Sequence, residues 1–438
     1  MKKNAVLFLI IMVAFTGIAW FGVFNKQAND AITYEQLCAD GSRYAEKGIF
    51  IDAVKSYESA LAMNPGHFDL AMKVADMYRK LNDVNGLLLA CDNAIHIDGS
   101  RQEPYVMKIN CYMSQTMYAE AVKTLDGAKG VKERDQLDAL SDFVQSQYTE
   151  KFVSCQEIGD WHTQGKINYV AVCIDDKWGM VQKDGMKKIK FIYDYIGAYS
   201  QEEEVIPCCF EGEYYYIDVK GNKKLVGNRE YQYLGSFGEG YAPAMADGLY
   251  GYINRTFEEV HFEYEYAGAF SGGVAAVKKE GKWALIDTHF DNVTDFEYDQ
   301  ILVDSNGFCC LFGTVILRKG AYYYLYDVKA GVRSANAFDA AKMAASPDGA
   351  IAVKLNNRWG FSDHAGEMLI QPEYEDACSF SLGFAPVKKD GQWGYINEAR
   401  DWVIEAKYTE AKPFSSDGAA PVKTTYAGWN IIVLCRYE

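Results

Sequence analysis

The sequence predicts a multidomain chain: one transmembrane helix, then an α-solenoid of paired helices, then an all-β repeat array. Three observations predict it. The chain has an uncharged apolar stretch near its N-terminus, a period of 34 residues in its first third, and a period of about 36 residues in the remainder. At 438 residues the chain is too long for one ordinary core. The predicted regions are residues 1–30, 31–150 and 151–438.

The first region is predicted to be a short cytoplasmic tip followed by a signal-anchor helix. Ala5 to Phe24 carries no charge, and as a helix it would rise about 30 Å, the thickness of the bilayer core. Lys2 and Lys3 precede it, so the positive-inside rule places the rest of the chain outside the cytoplasm. The expected location is the cell membrane, single-pass, with the body extracytoplasmic. The alternative is a cleaved signal peptide and a secreted protein.

The second region repeats every 34 residues. Tyr44, Tyr78 and Tyr112 hold this period, and three other columns share it: Ala53, Leu87 and Ala121; Ala60, Ala94 and Ala128; Tyr57, Cys91 and Leu125. Small alanine columns let two helices pack closely, and Pro65 ends the second helix of the first unit. The spacing resembles the tetratricopeptide repeat, which implies three helix pairs over residues 34–135. A capping helix is predicted near Leu137 to Tyr148.

The resemblance implies a concave groove, lined by the first helix of each pair, that binds an extended peptide. By register the candidate groove residues are Met72, Asp76, Arg79, Val106, Asn110 and Met113. The alternative is that three short repeats serve only as a spacer or a dimer face.

The third region repeats a motif in which an aromatic residue is followed about four residues later by Asp or Asn. The repeat-core aromatics are Trp178, Tyr214, Tyr250, Trp283, Tyr323, Trp359, Trp393 and Trp429. Their spacing is 36, 36, 33, 40, 36, 34 and 36 residues. Each copy reads as a β-hairpin with a turn such as Asp390-Gly391, followed by a second turn and a strand centred on a tyrosine.

Trp178-Gly179, Trp359-Gly360 and Trp393-Gly394 make these copies resemble the WG-repeat (KWG) family, over residues 168–438. Three or four strands in 35 to 40 residues fit a propeller blade, so we predict a propeller-like array of seven or eight units. An open β-solenoid is the alternative. In either arrangement the recurring aromatic residue would fill the space between neighbouring sheets.

The charge and the polar residues exclude several functions. A net charge of -16 argues against nucleic acid as a partner. The eleven cysteines show no metal spacing, and two adjacent pairs, Cys208-Cys209 and Cys309-Cys310, are predicted in strands. The histidines likewise form no catalytic or metal motif, so we predict no enzyme, no cofactor and no metal. The histidines are His67, His96, His162, His261, His289 and His364.

These features predict a membrane-anchored binding scaffold or receptor that mediates protein-protein interactions through its two kinds of repeat. The expected partners are a protein or peptide and, through the N-terminal helix, the membrane. The alternative is a cell-wall or carbohydrate-binding protein in which exposed aromatic rows stack on sugar rings. The tyrosine triplets at 214–216 and 322–324 motivate this alternative.

Overall fold

The computed structural model describes residues 33–161, 169–227 and 229–437. These residues fall into two compact units, which divide between Gln145 and Ser146. The first unit is helical and the second is an eight-bladed β-propeller. The predicted fold class was therefore wrong in including a transmembrane helix. No helix in the described part of the chain is long and apolar enough to cross a membrane, and the predicted span, Ala5 to Phe24, lies outside that part.

Seven helices form the described part of the first unit. They are α1 (33–46), α2 (Phe50–Met63), α3 (Phe68–Lys80), α4 (Val84–Ile97), α5 (Glu103–Ser114), α6 (Tyr118–Gly127) and α7 (Asp135–Gln145). Successive helices pack as pairs, and the side chains of His67 and Asp83 cap α3 and α4 by accepting backbone N–H groups of the first turn. Ala53, Ala60 and Ala94 are fully buried, so the small columns lie where the helices approach each other.

The second unit contains 31 strands within the described residues. The first strand is β1 (Tyr148–Cys155). The next fifteen are β2 (Glu157–Ile158), β3 (Tyr169–Ile174), β4 (Lys177–Gln182), β5 (Lys187–Tyr193), β6 (Tyr195–Ile196), β7 (Ile206–Phe210), β8 (Glu213–Ile217), β9 (Lys223–Val226), β10 (Tyr233–Leu234), β11 (Ala242–Ala246), β12 (Leu249–Ile253), β13 (Glu259–Tyr264), β14 (Tyr266–Ala267), β15 (Val274–Lys279) and β16 (Lys282–Asp287). The remaining strands are β17 (Gln300–Ile301), β18 (Thr314–Lys319), β19 (Tyr322–Asp327), β20 (Val332–Arg333), β21 (Ala340–Ala341), β22 (Ile351–Leu355), β23 (Arg358–Ser362), β24 (Met368–Tyr374), β25 (Asp376–Ala377), β26 (Phe384–Lys389), β27 (Gln392–Asn397), β28 (Trp402–Tyr408), β29 (Glu410–Ala411), β30 (Ala419–Thr424) and β31 (Gly428–Leu434).

The strands form eight antiparallel sheets, numbered here as blades 1 to 8 from β2 onward. Each blade begins with a two-residue inner strand, as β2-β3-β4-β5 does in blade 1. Blade 4 has three strands, and the other seven have four. The last blade takes its fourth strand from the start of the unit, because β1 pairs antiparallel with β31. This exchange closes the ring, so the open β-solenoid alternative is wrong and eight is the number of units.

Glycine after the repeat aromatic lets the fourth strand of a blade bulge over the third. Trp393 pairs with Tyr408, and the register then shifts before Tyr395 pairs with Ile404. A Cβ on Gly394 would lie 2.5 Å from the backbone oxygen of Ile404, and one on Gly360 would lie 2.4 Å from that of Ile370. Bulges of this kind need a residue without a side chain where the backbones approach. The Trp-Gly pair of the sequence is therefore a packing requirement of the sheet.

In four of the eight blades a second buried aromatic residue follows two positions after the repeat aromatic and contributes to the packing between blades. Tyr395 of blade 7 packs on Phe414 of blade 8 with ring centroids 4.9 Å apart, and its hydroxyl donates to the backbone oxygen of Lys412 at 2.9 Å. Tyr252 and Phe270 repeat this arrangement between blades 3 and 4, at 5.0 Å. Both tyrosines are fully buried. These rings form the core between blades.

Candidate functional site

The predicted groove residues lie on α3 and α5, and four of the six line one depression. Met72 and Arg79 of α3 and Val106 and Asn110 of α5 surround a pocket of about 470 Å³. Met72 and Val106 are half-buried against the helical core, whereas Arg79 and Asn110 are exposed. The pocket thus has an apolar floor and polar groups at its rim, which is the usual composition of a binding site.

Asp76 and Met113 do not line this pocket, for different reasons. Asp76 accepts hydrogen bonds from Arg79 Nη2 at 2.6 Å and Arg79 Nε at 3.1 Å, and it lies 3.1 Å from Lys80 Nζ. Burial would raise the pKa of Asp76, but the hydrogen bonds from Arg79 and Lys80 outweigh it and lower this pKa. Asp76 therefore stays ionised and orients Arg79 toward the groove. Met113 packs against the core of the second half of the unit.

The 34-residue register did not predict several other side chains that line the pocket. Glu103 and Met107 come from the same face of α5 as Val106 and Asn110, and Gln136 comes from α7. The backbone N–H of Gln136 donates to the side-chain oxygen of Gln102 at 3.0 Å, which ties the start of α7 to the start of α5. No repeat column covers α7, so the sequence carried no signal that this helix closes one end of the groove.

The eight repeat-core aromatics occupy one equivalent position, the second residue of the third strand of every blade. Trp359, Trp393 and Trp429 are buried, with 6–7% of their surface exposed. The other five, Trp178, Tyr214, Tyr250, Trp283 and Tyr323, are half-buried. The side chains that the sequence analysis missed are the more deeply buried rings two positions later, such as Tyr216, Tyr252, Phe361 and Tyr395.

The tyrosine triplets do not form exposed rows. Tyr215 and Tyr216 are buried and Tyr214 is half-buried, in ring contact with Tyr195 and Tyr233. In the second triplet only Tyr322 is exposed, at 51%. A sugar-stacking surface needs adjacent exposed rings, so these six tyrosines give the glycan interpretation no support.

Two further features of the polar residues bear on the sequence predictions. Among residues 33–161, 169–227 and 229–437, no group of three or more His, Cys, Asp or Glu side chains is placed to hold a metal ion. Cys208 and Cys209 lie in β7 as predicted, but Cys309 and Cys310 lie in a loop, which corrects the strand prediction for that pair. All eleven cysteines are free thiols.

Comparison with known proteins identifies the β-repeat. A family model described as WG containing repeat matches residues 178–207, 250–283, 359–393 and 393–425. These stretches lie in blades 1 and 2, 3 and 4, 6 and 7, and 7 and 8. No curated protein matches the chain.

Many solved structures are similar to parts of the chain, among them the following two. One is the TPR2B-domain:pHsp70-complex of yeast Sti1, at 22% identity and a TM-score of 0.23, covering 26% of this chain and 90% of that one. The other is described as the crystal structure of the eukaryotic initiation factor, at 11% identity and a TM-score of 0.42, covering 64% of this chain and 86% of that one. At these scores neither likeness bears on function. The chain is a repeat protein that combines helical repeats with WG-type β-repeats.

Proposed function

We propose that the protein is a binding scaffold whose helical groove holds an extended segment of a partner protein. The observation that supports this proposal is the convergence of Met72, Arg79, Val106 and Asn110 on one pocket. Small buried residues let the helices pack closely, and a site on packed helices is held more precisely than a site on loops.

The chemistry of the pocket indicates how a peptide would be held. The exposed amide of Asn110 can both donate to and accept from a peptide backbone. Met72, Val106 and Met107 offer an apolar floor for one or two side chains of the peptide. Two nitrogens of Arg79 donate hydrogen bonds to Asp76, and its other N–H groups can donate to a carbonyl or carboxylate of the partner. A short extended segment with an apolar anchor fits this arrangement.

The test is selection of peptides from a random displayed library on the whole protein, followed by affinity measurement on variants. We expect enriched peptides that lose at least about tenfold in affinity in Asn110→Ala and Val106→Arg, because each change removes a direct contact. Asn93→Ala is the matched control, since Asn93 is an equally exposed asparagine on α4 outside this pocket. No enrichment, or equal loss in Asn93→Ala, would contradict the proposal.

The location and the absence of an enzymatic role stay predictions. Location at the cell membrane, or secretion, rests on residues outside the described part of the chain. Protease treatment of intact cells tests it, since digestion of the folded body would place that body outside. We likewise propose that the protein catalyses no reaction. A substitution-sensitive turnover of any substrate by the purified protein would overturn that proposal.

A further inference from the structure

The residue that follows the inner strand occupies an equivalent position in all eight blades. In each blade its backbone N–H donates to an oxygen of the second strand, at 2.8–3.0 Å. The short inner strand lies at the axis of the ring, so these residues surround the channel. In blade order they are Gly159, Gly197, Gly235, Gly268, Leu302, Lys342, Cys378 and Lys412. Blades 1 to 4 therefore present glycine at the channel, and blades 5 to 8 present side chains.

A loop of blade 5 fills the glycine half of the channel. Residues 302–313 form the longest of the eight loops between the first and second strands. Ser305 crosses to blade 1, where its Oγ accepts from the backbone N–H of Asp160 at 2.7 Å and its own N–H donates to Asp160 Oδ2 at 2.9 Å. Phe308 packs in one buried cluster with Ala198 of blade 2 and Ala269 of blade 4. A Cβ on Gly268 would lie 2.6 Å from the oxygen of Gly307, so glycine is required beside this loop.

Within the described residues, the other half of the channel is open. It holds a cavity of about 540 Å³ whose lining comes mainly from blades 5 to 8, with Asp160 and Trp161 of blade 1 at one side. Leu311, Phe312, Met343 and Phe414 form an apolar wall. Pockets of roughly 300–1,000 Å³ that combine an apolar wall with a few polar groups are typical of small-molecule sites.

The charged groups of the cavity differ in how far they are already paired. Lys412 Nζ lies 2.9 Å from Asp160 Oδ1 and also donates to the backbone oxygens of Ile158 and Gly159. Asp304 Oδ1 accepts two backbone N–H groups. Burial, together with the nearby charge of Asp160, raises the pKa of Asp304 to about 7, so this carboxyl is partly neutral at physiological pH.

Of the two lysine ammonium groups at the cavity, that of Lys342 has the weaker partners. Within the described residues its Nζ has one ion pair, with Asp376 Oδ1 at 3.7 Å, and it lies 5.1 Å from the ring centroid of Trp359. Its side chain is 41% exposed, and Lys342 is one of the residues that line the cavity. With Lys412 paired to Asp160 and Asp304 partly neutral, the charge available to a ligand is positive and sits on Lys342.

We propose that the cavity binds a small amphipathic anion, with its carboxylate or similar head on Lys342 and its apolar body against Leu311, Phe312, Met343 and Phe414. This site is separate from the helical groove, and its occupancy does not depend on a peptide partner. A carboxylate would give Lys342 a charge-assisted hydrogen bond that Asp376, at 3.7 Å, does not provide.

The test is calorimetric titration of the whole protein with three probes of equal chain length: octanoate, 1-octanol and octylamine. We expect one octanoate per chain, bound at least about tenfold more tightly than either of the others. Preference for octylamine would overturn the proposal, because it would assign the site to a cation. No saturable octanoate binding up to millimolar concentration would also overturn it.

Variants locate the binding. Lys342→Met keeps the aliphatic stem and should reduce octanoate affinity about tenfold, to the level of octanol, whereas octanol binding is kept. Lys388→Met is the matched control, since Lys388 is a half-buried lysine on β26 that does not line the cavity, and it should leave the affinity unchanged.

Ala345→Trp should fill the cavity and abolish binding of octanoate and octanol alike. If that variant fails to fold by circular dichroism, Phe312→Ser at the exposed edge of the cavity replaces it and should weaken both probes. Octanoate binding that is unchanged in Lys342→Met, or in both cavity variants, contradicts the proposed site.

Discussion

The helical unit and the propeller pack their repeats with residues of opposite size. In the helical unit, alanines at 34-residue intervals are fully buried where helices cross, because helix axes approach to about 8–10 Å only over small side chains. In the propeller, aromatic residues recur instead, because stacked sheets lie about 10 Å apart and large rings must fill the gap. The difference teaches that the helical unit should be sensitive to volume added at its alanines and the propeller to volume lost at its rings.

The largest expected effect is removal of a ring between blades. Tyr395→Ala should destabilise the propeller by about 3–5 kcal/mol, because it opens a cavity beside Phe414 and leaves the backbone oxygen of Lys412 without its donor. Tyr395→Phe should cost only about 1 kcal/mol, since it removes the hydroxyl alone. Urea unfolding followed by tryptophan fluorescence measures both. Tyr426→Ala, at a residue 99% exposed, is the control.

A smaller effect is expected where the propeller cannot accept volume. Gly394→Ala should destabilise by about 3 kcal/mol, because the new Cβ would meet the backbone of β28 at 2.5 Å. Gly127→Ala, at a glycine with open space around it, should be neutral or slightly stabilising. Thermal unfolding of the two variants compares them. Equal melting temperatures would show that the bulge does not depend on the Trp-Gly pair.

The helical unit should respond to added volume by a similar mechanism. Ala94→Leu should cost about 2 kcal/mol, because Ala94 is fully buried between packed helices. Ala62→Leu is the control, since Ala62 lies on α2 with an exposed side chain. Far-ultraviolet circular dichroism during urea unfolding follows the helices. If Ala94→Leu is as stable as the parent, the alanine column does not set the distance between helices.

The smallest effect is expected at Asp304, which lines the cavity of the propeller. Its pKa is about 7 in the folded protein and near 3.9 when unfolded. The folded state therefore holds the proton more tightly, and stability present below about pH 4 is lost as the pH rises through 7. Asp304→Asn keeps the acceptor for both backbone N–H groups and removes the charge. We expect it to stabilise by about 1–2 kcal/mol at pH 8, after allowance for partial exposure.

The matched measurement is urea unfolding of Asp304→Asn and the parent at pH 4.5 and pH 8. The stabilisation should be small at pH 4.5, where the parent carboxyl is protonated in the folded state. A difference of the same size at both pH values would assign the effect to packing. Asp295→Asn, in an exposed loop of blade 4, controls for the general loss of one negative charge.

Much of the repeat pattern was predictable from the sequence. The eight repeat aromatics all lie at one position of the third strand, because a strand places every second side chain on the same face and the period kept that register. The four groove residues that meet at one pocket follow from the 34-residue period in the same way. The 40-residue gap between Trp283 and Tyr323 was also visible, and its extra residues turned out to form the loop that fills half the channel.

Local pattern determined the type, length and inward face of each repeat, since these depend on neighbouring residues. Contacts between distant residues were decided only in the tertiary structure. β1 closes the ring against β31 although Cys155 and its partner Trp429 are 274 positions apart, and Asp160 contacts Ser305 across the channel. In the described part of the chain the channel is likewise open on one side because the loop at residues 302–313 lies against Gly159 and Gly268, whereas Lys342 and Lys412 line the cavity. The repeat period does not predict which opposite blades are in contact, because that contact forms only when the ring is closed.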